Sequence, residues 1–113
     1  MAGTPKRLFG PVAMSATLTT NIYNRGVATI YDVVTHIHIV NKTAGAVTFS
    51  MWLGATGGNV AGTEIIGTAR SIAANSAFDW YGRLRMDSAD FLVGGASAGT
   101  SLTITGEGES SVV

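Results

Sequence analysis

Apolar and polar residues alternate with a period of two along much of the chain, most clearly between Val27 and Leu53. The stretch reads V-A-T-I-Y-D-V-V-T-H-I-H-I-V-N, then K-T-A-G-A, then V-T-F-S-M-W-L. Successive side chains of a strand point to opposite faces, so odd and even positions separate. Tyr31, Val33, Ile37 and Ile39 fall on odd positions, with Asp32, His36 and His38 on even ones. In the second half Val47, Phe49, Met51 and Leu53 are odd, and Thr48 and Ser50 are even. Both halves are rich in β-branched and aromatic residues, and the middle has turn chemistry. The pattern predicts a β-hairpin with its odd-numbered face in the core.

Shorter alternating segments flank this one. Thr17 to Tyr23 predicts a first strand, and Asn24-Arg25-Gly26 a turn. A Gly-rich loop follows Leu53, and Glu64 to Ile72 predicts a strand with Ile65 or Ile66 inward. Ala77 to Met86 places Phe78, Trp80 and Leu84 on one face and Asp79, Tyr81, Arg83 and Arg85 on the other. Phe91 to Ser97 is a strand with Gly94-Gly95 as a weak point or bulge, and Ser101 to Gly106 closes the sheet. Turn signals every 8–12 residues without a convincing helix predict an all-β fold, an antiparallel β-sandwich or jelly roll. The expected layout is an extended N-terminal arm over 1–16, a sandwich domain over 17–106 and a polar C-terminal tail over 107–113. The arm is broken by Pro5, Gly10 and Pro11 yet carries Leu8, Phe9, Val12 and Met14, so it is expected to pack on this domain or on a neighbour.

Composition narrows the function classes. The 113 residues make one domain able to bury roughly two-thirds of its unfolded surface without a metal or disulfide staple. Charged residues are 12% of the chain, half the share of ordinary soluble domains (about 25%), so Thr, Ser, Asn, Ala and Gly must cover the solvent faces. So little charge defends weakly against association, which predicts contact with other copies. Net charge is zero, which argues against binding nucleic acid through phosphate neutralisation. No apolar run is long enough to predict a membrane span, and Lys6, Arg7, Gly10 and Pro11 interrupt the start of any signal peptide. With no cysteine, disulfide and thiolate chemistry are absent.

Candidate chemistry is sparse. His36 and His38, at i and i+2 of a strand, point the same way and can clasp one ion. On a jelly roll the pair resembles the first motif of cupins, His-x-His followed by Glu. Here Val40, Asn41, Lys42 and Thr43 follow, and the chain has no third His. The pair is therefore expected to be surface hydrogen-bonding groups, with no metal or cofactor assigned. No Ser stands in a G-x-S-x-G elbow, the Gly54 to Gly62 loop lacks G-K-[ST], and Asp32, Glu64 and Asp79 are scattered, so no catalytic residue is assigned. Asp87 and Asp90 read as turn residues, and so does Asn41 of the N-x-T triplet. Trp52 shares the even face with Thr48 and Ser50, which offers it and Tyr81 as contacts for a protein or a sugar.

K-R-L-F-G-P, T-L-T-T-N-I-Y-N, V-V-T-H-I-H-I-V-N-K-T-A-G-A-V-T-F-S and S-I-A-A-N-S-A-F-D-W-Y-G-R-L-R-M together resemble small virion proteins of tailed bacteriophages. The resemblance spans nearly the whole chain and implies a β-sandwich building block of a phage particle. The expected function is a non-enzymatic structural protein, a capsid decoration (cement) protein held by arm and sheet-edge contacts to the shell and neighbouring copies, and assembled in the bacterial host cytoplasm. Its partners are then the major capsid protein or other virion proteins and further copies of itself, without nucleic acid or membrane. Leu8, Phe9, Val12, Trp52 and Tyr81 are the expected partner contacts. The alternatives are a neck, collar or minor tail protein, or a carbohydrate- or receptor-binding module using Trp52, Trp80 or Tyr81. A metal-dependent cupin-like enzyme is the reading furthest from the residues.

Overall fold

The computed structural model describes residues 3–113, which form eight strands and no helix. They are β1 (Thr4–Ala13), β2 (Asn21–Tyr23), β3 (Ile30–Asn41), β4 (Val47–Gly54), β5 (Arg70–Ile72), β6 (Ser76–Met86), β7 (Phe91–Ala96) and β8 (Leu102–Val112). Pairing is antiparallel throughout and nested: β1 with β8, β2 with β7, β3 with β6, β4 with β5. Rolling such a ribbon places alternate pairs in two facing sheets, of order β1-β8-β3-β6 and β2-β7-β4-β5. That is the jelly-roll arrangement, so the all-β sandwich expected from the turn spacing is the fold observed.

The core lies between the sheets. Val34, Ile37 and Ile39 of β3 and Leu102 and Ile104 of β8 face Phe49 and Met51 of β4 and Leu92 of β7, all essentially without solvent contact. Burial of each such side chain stabilises the fold by about 1.5–3 kcal/mol. Phe78, Trp80 and Leu84 pack against this core from β6, as the alternation predicts.

The predicted hairpin does not form. β3 and β4 belong to different sheets, and residues 42–46 carry the chain across the sandwich. Buried Asn41 holds this arch: its Nδ2 donates to the carbonyls of Gly45, Ile72 and Ala73, and its Oδ1 accepts from the Thr43 amide and hydroxyl. A turn signal shows that the chain reverses but not which sheet receives it. An Asn this occupied makes the reversal an arch between layers.

The odd face of β3 is inward only beyond Thr35. Val34 pairs with Gly108 and His36 with Glu107, so Thr35 is an extra residue against β8. Such a bulge reverses the facing of everything before it. Asp32 and Val34 are therefore buried, whereas Tyr31 and Val33, expected inward, are only partly covered.

Both terminal segments of the described residues are sheet members. Of the arm expected over 1–16 to pack on this domain or on a neighbour, residues 1–2 lie outside the described residues and Thr4–Ala13 form β1, which pairs with β8 from Thr4↔Ser110 to Ala13↔Thr103. Its prolines fit an edge strand, where a missing N–H costs no ladder bond. Phe9 sits opposite Gly106, is 8% exposed and stacks on Tyr23 of β2 at 5.2 Å between centroids. A Cβ on Gly106 would lie 2.2 Å from the Phe9 ring, so this glycine makes the ring's seat. The expected polar tail continues β8 to Val112, pairing with both β1 and β3.

Three smaller expectations also change. Of the strand expected over 17–23, only β2 forms. Of the one expected over 64–72, only β5 forms, preceded by an isolated bridge from Glu64 to Trp52 and positive φ at Ile66 and Ala69. Gly94 and Gly95 are no bulge, because β7 pairs with β4 in unbroken register. The chain from Ser15 to Thr20 passes close over them, with the Ser15 carbonyl 2.5 Å from where a Gly95 Cβ would stand.

Candidate functional site

The outer face of the β1-β8-β3-β6 sheet gathers the chemistry-bearing side chains. β3 projects His36 and His38, β6 projects Asp79 and Tyr81, and β8 projects Glu107. The register places His38 beside Asp79, and His36 between Tyr81 and Glu107. Both imidazoles reach one carboxylate oxygen: His36 Nε2 and His38 Nδ1 lie 2.7 and 2.6 Å from Asp79 Oδ1. The other nitrogen of His36, Nδ1, is 2.7 Å from Glu107 Oε1. The Tyr81 ring stacks on His36 at 4.5 Å with planes 2° apart, which fixes the imidazole's tilt.

Electrostatics follow from these contacts. The Glu107 and Asp79 hydrogen bonds hold the His36 pKa above the usual histidine range, because an imidazolium can donate to both. Asp79 is held below the usual carboxylate range by His36 first and His38 second. His36, His38 and Asp79 present ligand atoms within 4.8 Å of one another. Sequence reading singled out the two histidines but left Asp79 among scattered acids and Glu107 in a tail. The alternation places Asp79 and Tyr81 on one face of their strand. The missing link was the pairing of that strand with β3.

A second polar cluster lies on the inner side of the same strand. Asp32 is fully buried and accepts from Arg25 Nε and Nη2 at 3.0–3.2 Å, from Ser110 Oγ at 2.5 Å, and from the Tyr23 hydroxyl. Burial by itself would raise the Asp32 pKa. The hydrogen bonds from Arg25, Ser110 and Tyr23 outweigh it and hold the carboxyl below its usual range. Burial and the neighbouring carboxylate push the Tyr23 phenol well above its own. No buried side-chain polar atom lacks a partner among the described residues, so this cluster is saturated and structural.

The expected partner contacts divide. Phe9 and Trp52 are both 8% exposed and unavailable to a partner. Phe9 belongs to the core. Trp52 does lie opposite the core face, beside buried Val93, but the segment 63–67 bonds along this part of β4 and Trp52 bridges to Glu64. Leu8 is half-buried against the core. Val12 at 47% and Tyr81 at 73% remain exposed. The acids Asp87 and Asp90 close a turn on each other, the Asp87 amide donating to Asp90 Oδ2 at 2.8 Å and the Asp90 amide to the Asp87 carbonyl at 3.0 Å.

The chain matches no protein-family model and no curated protein. Among solved structures it is similar to a chain in the structure of the infectious bursal disease virus Gx strain, at 10% identity and a TM-score of 0.38. That match covers 97% of this chain and 26% of the other, so the protein spans about a quarter of that chain's length.

Proposed function

We propose that the protein is a non-enzymatic structural component of a tailed-phage particle, a decoration protein on the outer capsid shell. The observation that carries this reading is the eight-strand jelly roll, an architecture used by viral capsid proteins, on a chain with only 12% charged residues. The sequence resemblance to small virion proteins points the same way. The partners are the major capsid protein and further copies of this chain, and assembly takes place in the bacterial cytoplasm. Attachment does not use the segment expected as an arm, because β1 is already paired within its own sheet. It uses the 11-residue edge strand β6, whose outer side pairs with no strand among the described residues, and the exposed Tyr81 ring upon it. Strand addition along such an edge supplies main-chain hydrogen bonds, and many copies turn a weak contact into firm attachment.

Imaging purified particles at side-chain resolution tests this. Jelly-roll density in regular array on the shell is expected, with β6 against a neighbour. Absence of the chain from purified particles overturns the reading, and density confined to the neck or tail relocates it. A glycan- or receptor-binding role on the particle is the second reading. The flat Tyr81 ring favours it, since an exposed aromatic platform suits a sugar face. Under that reading Tyr81→Ala particles keep the protein but lose adsorption; under the first they lose the protein.

A further inference from the structure

We propose that His36, His38 and Asp79 form a divalent transition-metal site on the outer face of the β1-β8-β3-β6 sheet, with Glu107 as the group that orients His36. The claim is independent of where the protein resides. Two imidazole nitrogens and one carboxylate oxygen converge within 4.8 Å. Two nitrogens with one oxygen suit zinc and its neighbours, whereas calcium and magnesium take shells of oxygen.

Three features make this more than a chance cluster. First, the donors stand on adjacent strands whose register sets them side by side, with His38 paired to Asp79 across the ladder. A site on paired strands is held by the backbone rather than by a loop. Second, His36 already has the outer contact that metal-bound histidines use. Its Nδ1 faces Glu107 Oε1 at 2.7 Å, so a proton there leaves the Nε2 lone pair aimed toward Asp79. Third, the Tyr81 stack limits rotation of the His36 ring out of that alignment.

The adjustment required falls on exposed side chains. Ligands about 2.0–2.1 Å from a tetrahedral zinc stand roughly 3.3 Å apart. The present contacts to Asp79 Oδ1 are 2.6–2.7 Å and the two imidazole nitrogens stand within 4.8 Å of each other, so the carboxylate must withdraw by roughly 0.6 Å and the nitrogens close by up to roughly 1.5 Å on that geometry. Asp79 and His38 are side chains with 37% and 40% exposure, free to move so far. His38 must present an unprotonated Nδ1, which puts its proton on Nε2. Three protein ligands leave the fourth position to water.

Calorimetric titration of the whole chain with zinc chloride tests the site, alongside His38→Asn, Asp79→Asn and Glu107→Gln. One zinc per chain is expected for the natural sequence. Each ligand variant should abolish that binding, and Glu107→Gln should weaken it about 10–100-fold. Cobalt(II) should give the visible bands of a tetrahedral site, absent from Asp79→Asn. Excess magnesium should not compete. All three positions lie on the outer face, so unchanged circular dichroism will confirm folded variants. No binding at millimolar zinc overturns the proposal, and so does equal affinity in the folded His38→Asn and Asp79→Asn variants.

Discussion

Strand β3 carries two polar clusters, four residues apart in sequence and on opposite sides of its sheet. Asp32 points into the sandwich and is saturated by Arg25, Ser110 and Tyr23. His36 points out and shares Asp79 and Glu107 with the surface. On a regular strand the two would share a face, since both are even-numbered. The single extra residue Thr35 turns one inward and the other outward. Equivalent polar patterns thus become a structural clasp or an open ligand set according to the phase of one strand. The inner cluster joins the β2–β3 connection to β3 and β8 around a carboxylate out of contact with water; the outer one joins β3, β6 and β8 at the solvent surface.

The largest effect should come from Arg25→Ala. It leaves the Asp32 carboxylate at 0% side-chain exposure with only hydroxyl partners. Removing one partner of a buried ion pair costs about 3–5 kcal/mol, because the remaining charge is uncompensated. Urea denaturation should show a loss in this range with an unchanged m-value. A loss below about 1 kcal/mol, the range of exposed pairs, would erase the distinction between the two clusters.

Acid should separate the clusters next. Asp32 has a folded pKa below its unfolded value of about 3.9, so in that interval the unfolded chain binds more protons. Its contribution is complete above about pH 4 and is lost as pH falls through the folded pKa. The groups facing it are Arg25, Ser110 and Tyr23, and Arg25 stays charged throughout this window. The denaturation midpoint should fall on acidification, and Asp32→Asn should fall less steeply from a lower start. Parallel slopes for the two proteins would mean that Asp32 is not held by this clasp.

How much of this was legible in sequence depends on the range of the interaction. Period-two alternation identifies Ile37, Ile39, Phe49 and Met51 as core and the fold as all-β, because facing is a local property of a strand. The change of phase at Thr35 was not legible: Tyr31 and Val33 share the parity of Ile37 and Ile39, and only the pairing with β8 reveals the extra residue. Nor was the nested pairing. It depends on which edges meet after rolling, and Thr4–Arg7 and Glu107–Ser110 look like parts of two tails until each is the other's partner. The same holds for the outer site: the histidines are two positions apart in sequence, but Asp79 is 43 and 41 residues from His36 and His38, and Glu107 is 71 from His36.

The smallest effect should come from His36→Ala. The substitution removes two hydrogen bonds to Asp79 and Glu107 and the stack under Tyr81, all at a surface where water replaces the lost partners. Exposed pairs of this kind contribute about 0.2–1 kcal/mol, since the side-chain entropy of holding them offsets most of their attraction. Added salt should reduce even that difference by screening, whereas the Arg25→Ala penalty should persist because its carboxylate is out of reach of solvent ions. Chemical denaturation of both variants at low and high salt checks the pair of expectations. A His36→Ala loss as large as that of Arg25→Ala would mean that the outer cluster, too, holds β3, β6 and β8 in register. The fold would then tolerate changes at neither side of the bulge.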